Sequence, residues 1–271
     1  MEPLPLIALV GLGVAGLLVG SFLNVVIVRV PDREPLLTGW RCTACEAPIR
    51  PADGIPVLSW LLLRGRCRAC GEEIGFAYVL VEVATAALWV LAGVRFGPSW
   101  ALVPMLLLVS TLLAQSVIDL ETSRLPDRIN IPVLGASVVL IGIVSAVEGD
   151  PGRVGVAIGG GIGYALFLFL PALLSFRGKQ AMGLGDVKLG LILGLYLAWL
   201  HPVLILFSLI IASVAGAVVG GILFVVRRRS DHYPFGPWLA LGCLLALLFS
   251  EPLLDVYLLD APAFLAGPGT F

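Results

Sequence analysis

Two carboxylates and four thiols are spaced in this 271-residue chain so that they can do chemistry. Asp119 closes one long apolar run, in Gln115-Ser-Val-Ile-Asp119-Leu-Glu121, and Asp186 opens another, in Met182-Gly-Leu-Gly-Asp186-Val-Lys188. An ionisable group beside hydrocarbon is costly, so its presence carries information. Two carboxyl groups that share one site cannot both ionise cheaply. One keeps its proton, and the pair then holds an acid and a base that can bind a water between them, as in an aspartic protease. Gly183 and Gly185 remove side-chain bulk beside Asp186, so that an extended peptide backbone can reach it, and they tolerate irregular backbone where a helix begins. Position alone is equally served by two helix-end charges at an interface, with Asp186 favoured by an N-terminal helix dipole. A third use of the same pair is the proton relay of a coupled transporter.

The thiols form two knuckles, Cys42-Thr-Ala-Cys45 and Cys67-Arg-Ala-Cys70, separated by 21 residues. Each knuckle supplies two thiolates at hairpin spacing, and together they suit one tetrahedral ion, of which zinc is the usual occupant. Four cysteines leave no open position for a water, which points to a structural metal. Two disulfides or four idle thiols are the alternatives. A hydrophilic segment of this length has too small a core to fold easily alone, so a metal crosslink would supply much of its stability. Cys243, alone in a late apolar run, reads as a small buried hydrophobe.

The elements that must hold these groups are set by composition. The chain is 59% hydrophobic and 13% charged with mean hydropathy +1.04, whereas a soluble domain is about 45–50% apolar and ~25% charged. A net charge of -1 leaves no basic excess for nucleic acid. The expected fold is an all-α polytopic membrane protein, with about eight spans near 4–28, 78–96, 100–118, 129–147, 154–176, 183–200, 202–226 and 235–250. The sixth is weak, because its strongly apolar part is short enough for a re-entrant hairpin.

Lysine and arginine mark the cytoplasmic side. All but two of the 17 fall in alternate connections: Arg29 to Arg68 in the first, Arg124 and Arg128 in the third, Arg177, Lys179 and Lys188 in the fifth, and Arg227, Arg228 and Arg229 in the seventh. Only Arg95 and Arg153 oppose them. Both termini are therefore expected outside, with the cysteine segment and both carboxylates at the cytoplasmic border. The triplet after the seventh run also favours a true sixth span. The expected organisation is a first helix over 1–30, retained because no basic residue precedes it, then a cytoplasmic zinc-binding module over 31–76, a seven-helix core over 77–250 and an external tail over 251–271. Gly16/Gly20, Gly190/Gly194 and Gly216/Gly220 are small-xxx-small pairs that let helices approach closely. Glu82 and Asp127 are further polar groups near the cytoplasmic face, Asp127 as the turn or cap of a helix.

Several stretches in order resemble one family. Gly20-Ser-Phe-Leu-Asn24 through Arg29-Val-Pro31, the paired knuckles, Ile55-Pro-Val-Leu-Ser-Trp60, Arg64-Gly-Arg-Cys67, Ile118-Asp119-Leu with Leu125-Pro-Asp127, Gly183-Leu-Gly-Asp186-Val-Lys188 and Pro234-Phe-Gly-Pro237 are similar to the bacterial type IV prepilin peptidases, which are GxGD intramembrane aspartyl proteases. The resemblance implies that Asp119 and Asp186 are the catalytic pair. It implies as partners the lipid bilayer and pilin or pseudopilin precursors, whose short basic leader is cut after a glycine at the cytoplasmic membrane. It also implies N-methylation of the new terminus from S-adenosylmethionine, with Gly65 and Arg66 in the matching region, where family members often have Lys in place of Arg66. Asn24 and Lys188 match motif positions as active-site support, and read equally as a helix-packing hydrogen bond and a snorkelling charge. Pro51-Ala-Asp53-Gly-Ile-Pro56 and Phe76-Ala-Tyr78 depart from the family pattern, as does Glu121 where the family has Asp.

Overall fold

The computed structural model of the chain describes residues 3–36, 39, 41–42, 44–173, 175–176, 179–180, 183–227 and 234–260. Arg177, Arg228, Arg229 and the last part of the expected tail, 261–271, lie outside the described residues. Among the described residues the regular elements are helices, apart from a hairpin of two-residue strands, β1 (Ser175–Phe176) and β2 (Lys179–Gln180). The chain divides into two compact units, Met1–Val133 and Leu134–Phe271.

In the first unit, α1 (Leu6–Arg29) leads into a short 3₁₀ turn (Pro51–Gly54) and α2 (Leu58–Leu62), then α3 (Ala77–Phe96), α4 (Leu102–Thr122) and the start of α5 (Asp127–Val147). The pair Gly16/Gly20 is where α1 meets α3. A Cβ on Gly16 would lie 2.7 Å from the Ala86 Cα, and one on Gly20 would lie 2.6 Å from the Glu82 Cα. Backbones this close gain dispersion that larger side chains would prevent. Leu23, Val26 and Ile27 of α1 join Val81, Ala114, Ile118 and Ile129 in one core cluster. Against α1 and α3 lies α4, with more than half its length buried. Two side-chain hydrogen bonds tie it to its neighbours: Trp89 Nε1 donates to Ser110 Oγ at 2.9 Å, and Gln115 Nε2 donates to Asn130 Oδ1. Asp127 is the first residue of α5, one position inside the cap role expected for it.

In the second unit, α5 continues into α6 (Gly152–Leu173), α7 (Leu184–Leu200), α8 (Leu204–Arg227), α9 (Gly236–Leu248) and α10 (Ser250–Asp260). The expected tail thus begins as a helix, which packs against α8 and α9. The weak sixth run is one continuous helix, α7, not a hairpin. Every residue from Leu189 to Trp199 except Leu191 is buried, so this helix is apolar all round because it is the centre of its unit. Gly190 and Gly194 face Leu168, Tyr164 and Gly160 of α6, as their spacing predicts. Tyr196 donates to Ser137 Oγ and Trp199 to Ser145 Oγ, each at 3.0 Å, which ties α7 to α5. Cys243 is fully buried on α9.

Among the described residues, six helices, α1, α3, α4, α5, α6 and α8, are long and apolar enough to cross a membrane. Exposed Leu206, Ile210, Val214, Val218 and Ile222 recur every fourth residue on α8, the stripe that lipid would cover. The other two expected spans are shorter, 17 residues in α7 and 13 in α9. At 1.5 Å per residue, α7 covers about 26 Å of a hydrocarbon core near 30 Å.

The α1–α3 contact makes a direct prediction. Gly20→Leu should destabilise the detergent-solubilised protein by about 1–3 kcal/mol through overpacking, read as a lowered thermal midpoint by tryptophan fluorescence. Gly11→Leu, at a position with open space around it, should leave the midpoint in place.

Candidate functional site

The four cysteines converge. Their sulfurs all lie within 4.8 Å of one another, with Cys42 and Cys70 at 3.9 Å. Tetrahedral zinc–thiolate bonds of ~2.3 Å separate sulfurs by about 3.8 Å, so the set fits one metal ion. The two knuckles are built alike. The N–H of Cys42 donates to the Ala47 carbonyl and the N–H of Cys67 to that of Glu72, while Arg41 bridges Pro48 and Arg66 bridges Glu73. The fourth residue after each first cysteine has left-handed backbone, Glu46 at φ 57° and Gly71 at φ 77°. Sequence carried this signal too, in Arg41-Cys-Thr-Ala-Cys45-Glu46 against Arg66-Cys-Arg-Ala-Cys70-Gly71, a repeat the spacing argument overlooked.

Four sulfurs this close cannot all be anionic without a cation. The N–H groups of Cys70 and Ala69 point at the Cys67 sulfur and hold its thiol down at about 7. Cys70 receives the N–H of Glu72, yet Cys45, burial, Cys67 and Cys42 together push it up to about 12. All five cysteines are free of disulfides. Asp53, in the stretch that departs from the family pattern, accepts hydrogen bonds from Arg68 at 2.7, 3.0 and 3.2 Å, so its carboxyl is held below the ordinary range. This ties the 3₁₀ turn to the second knuckle.

Beside that knuckle is an open groove of about 510 Å³, lined by Trp60, Gly65, Arg66, Glu73 and Phe76 among others. Trp60 Nε1 donates to the Ile74 carbonyl at 2.9 Å, and its ring meets Phe76 edge-on at 5.7 Å. Gly65 has φ +67°, and a Cβ there would lie 2.9 Å from the indole. Glycine is required on both counts. Arg66 and Glu73 pair across the rim at 3.6 Å. Gly65 and Arg66, which the resemblance placed in the methyl-transfer region, line this groove; Trp60, Phe76 and Glu73 were not singled out from the sequence as site residues.

Each carboxylate is buried on the innermost helix of its own unit. Asp119 lies in the last turn of α4, where its carbonyl accepts the N–H of Ser123, a left-handed cap at φ 51°. Asp186 lies in the first turn of α7, with its N–H bonded to the Gly183 carbonyl. Gly183 has ordinary extended backbone at φ -75°, so conformational freedom is not what it supplies. What it supplies is space, since a Cβ there would come within 3.3 Å of Asp186 Oδ2. Gly185 and Lys188 follow half-buried on the same helix. Asn24 Nδ2 donates to the Tyr78 carbonyl at 3.0 Å, the helix-packing bond that was one of its two readings.

The sequence is similar to known proteins along nearly its whole length. Residues 14–96 match the bacterial peptidase A24 N-terminal domain, and residues 106–221 match the type IV leader peptidase family. A prepilin leader peptidase/N-methyltransferase of Aeromonas hydrophila is 36% identical over 272 residues, covering 89% of this chain and 91% of the relative. Proteins of the same description from Stutzerimonas stutzeri and Pseudomonas putida are 36% and 38% identical, covering 90% and 93% of this chain and 92% and 93% of their own length. No solved structure matches.

The knuckles predict their own test. Elemental analysis of purified protein should give one metal ion per chain, and Cys67→Ser should lose it. Glu46→Gly, which copies Gly71 and relieves the left-handed strain, should keep the ion and release it to a chelator no faster than the native chain.

Proposed function

The chain belongs to the type IV leader peptidase family, and from that premise we propose that it cuts the short basic leader from type IV prepilin or pseudopilin precursors after a glycine and methylates the new N-terminus. It is a peptidase and a multi-pass protein of the inner membrane. The observation that carries the catalytic assignment is the burial of one carboxylate at the end of each innermost helix, Asp119 on α4 and Asp186 on α7. Asp186 is in a first helical turn, where the dipole favours negative charge, and Asp119 is in a last turn, where it does not. Asp186 accordingly acts as base, taking a proton from the attacking water. Asp119 is the acid that protonates the scissile carbonyl oxygen; as the gem-diol collapses and the C–N bond breaks, the proton on Asp186 passes to the leaving amine and a hydroxyl returns its proton to Asp119. Gly183 and Gly185 keep the approach to Asp186 open, and Lys188 and Asn24 support the site. Proton-coupled transport by the same pair finds no support among the matched relatives.

The Cys42, Cys45, Cys67 and Cys70 set holds zinc in a structural role. S-adenosylmethionine, when bound, supplies an electrophilic methyl group on a sulfonium. The groove has the volume of a small-molecule site, and the faces of Trp60 and Phe76 suit a cation, with Glu73 as the adjacent anion. Gly65 keeps the indole in place and Arg66 borders the groove. Eight crossings, with α7 and α9 completing the six longer helices, put both termini outside and the cysteine module in the cytoplasm. The two opposing arginines are both engaged locally. Arg95 lies over the Phe96 ring at 5.5 Å, while Arg153 pairs with Glu148 at 3.1 Å and lies over Trp199 at 5.8 Å.

Co-expression with a tagged prepilin and mass analysis of its N-terminus reads both reactions. Asp119→Asn and Asp186→Asn should each lower cleavage by roughly 10²–10⁴-fold while keeping the metal. Gly65→Val should leave cleavage intact and yield unmethylated product. Substantial cleavage by either Asn variant would overturn the peptidase assignment, and methylated product from Gly65→Val would overturn the groove.

A further inference from the structure

Glu82 is an acidic residue within a membrane-spanning helix, six positions into α3, and only 8% of it is exposed. A carboxylate there needs donors, since an unsatisfied buried acceptor is expensive. One is the N–H of Val57, from the segment between α1 and α3, which donates to Glu82 Oε2 at 2.8 Å, and the polar side chains of Ser21 and Asn24 on α1 lie beside the carboxylate.

Val57 is an unusual donor. Its backbone is at φ 59°, ψ -51°, a region that β-branched residues avoid. The N–H of Leu58 closes back on the Pro56 carbonyl, which makes Val57 the centre of a tight γ-turn of the rare, strained hand. Such a turn persists where its surroundings over-determine it, and the group that meets its outward N–H is Glu82. From the turn the chain runs directly into α2, whose Trp60 lines the groove and packs on Gly65. A continuous path of contacts therefore joins the α1–α3 contact to the groove.

We propose that Glu82 is a positioning residue: it holds the Val57 turn and, through α2, fixes the groove of Trp60, Gly65 and Phe76 on helices α1 and α3. It thereby governs methyl transfer without touching the groove or the reacting groups. The methyl-transfer consequence rests on the groove assignment given above; the anchoring itself does not.

The full-length enzyme in liposomes tests both parts, with the variants Glu82→Ala, Glu82→Gln, Val57→Gly and the double variant Glu82→Ala/Val57→Gly. Hydrogen exchange over 55–62 should rise at least tenfold in Glu82→Ala and stay near native in Glu82→Gln, whose amide oxygen still accepts the N–H. With a prepilin substrate, Glu82→Ala should cut the methylated share of product at least fivefold while cleavage stays within twofold. Adding Val57→Gly should restore part of that share, because glycine adopts the turn without strain. Unchanged exchange in Glu82→Ala overturns the anchor. A methylated share that holds steady or falls only in step with cleavage, or a double variant as defective as Glu82→Ala, overturns the positioning role. If the native enzyme makes no methylated product, the groove assignment falls, and exchange alone decides the anchor.

Discussion

A carboxyl group that faces lipid has nowhere to find a donor, and the cost of that isolation organises both halves of this protein. Each unit wraps one helix on most sides, α4 in the first and α7 in the second, and each of those helices ends in a buried aspartate. Wrapping a helix so closely requires its neighbours to approach without bulk. The glycines supply this, Gly190 and Gly194 on α7 against Tyr164 and Gly160 of α6, and Gly16 and Gly20 on α1 against Ala86 and Glu82 of α3. Apolar contacts between helices gain little over apolar contacts with lipid, so dispersion at short range and a few buried hydrogen bonds must hold the bundle. Trp89 to Ser110, Tyr196 to Ser137 and Trp199 to Ser145 are those bonds.

Much of this was legible because membrane physics restricts the alphabet. With few charges to distribute, Asp119 and Asp186 stood out, and four cysteines in two identical spacings converge as their chemistry required. The glycine pairs on α1 and α7 fell at their contacts for the same reason. What escaped depended on the path of a short loop. Nothing local in the sequence says that the N–H of Val57 reaches Glu82 across 25 positions, or that Asp53 closes on Arg68. Trp60 belonged to a stretch that resembled the family and Phe76 to one that departed from it, and neither marks a groove until the turn at Gly65 brings the indole against the knuckle. Of the two properties read for Gly183, the missing side chain is the one the structure uses, since its backbone is ordinary.

The cysteine knuckles illustrate how little core such a module needs. Its regular elements are a 3₁₀ turn and a five-residue helix, and what keeps the segment together is a set of cross-ties: paired knuckles, Asp53 with Arg68, and Trp60 with the Ile74 carbonyl. Burying Leu58, Leu61 and Leu62 is no part of this, as all three are exposed.

Those three leucines lie on the helix that follows the Glu82 tie, and an apolar helix face anchored to a spanning segment belongs at the boundary of headgroup and acyl chain. A groove carried there shares a plane with any polypeptide whose own hydrophobic segment is embedded in the same bilayer. Two partners confined in this way meet by lateral diffusion in two dimensions, and the depth at which each is held limits which parts of them can collide.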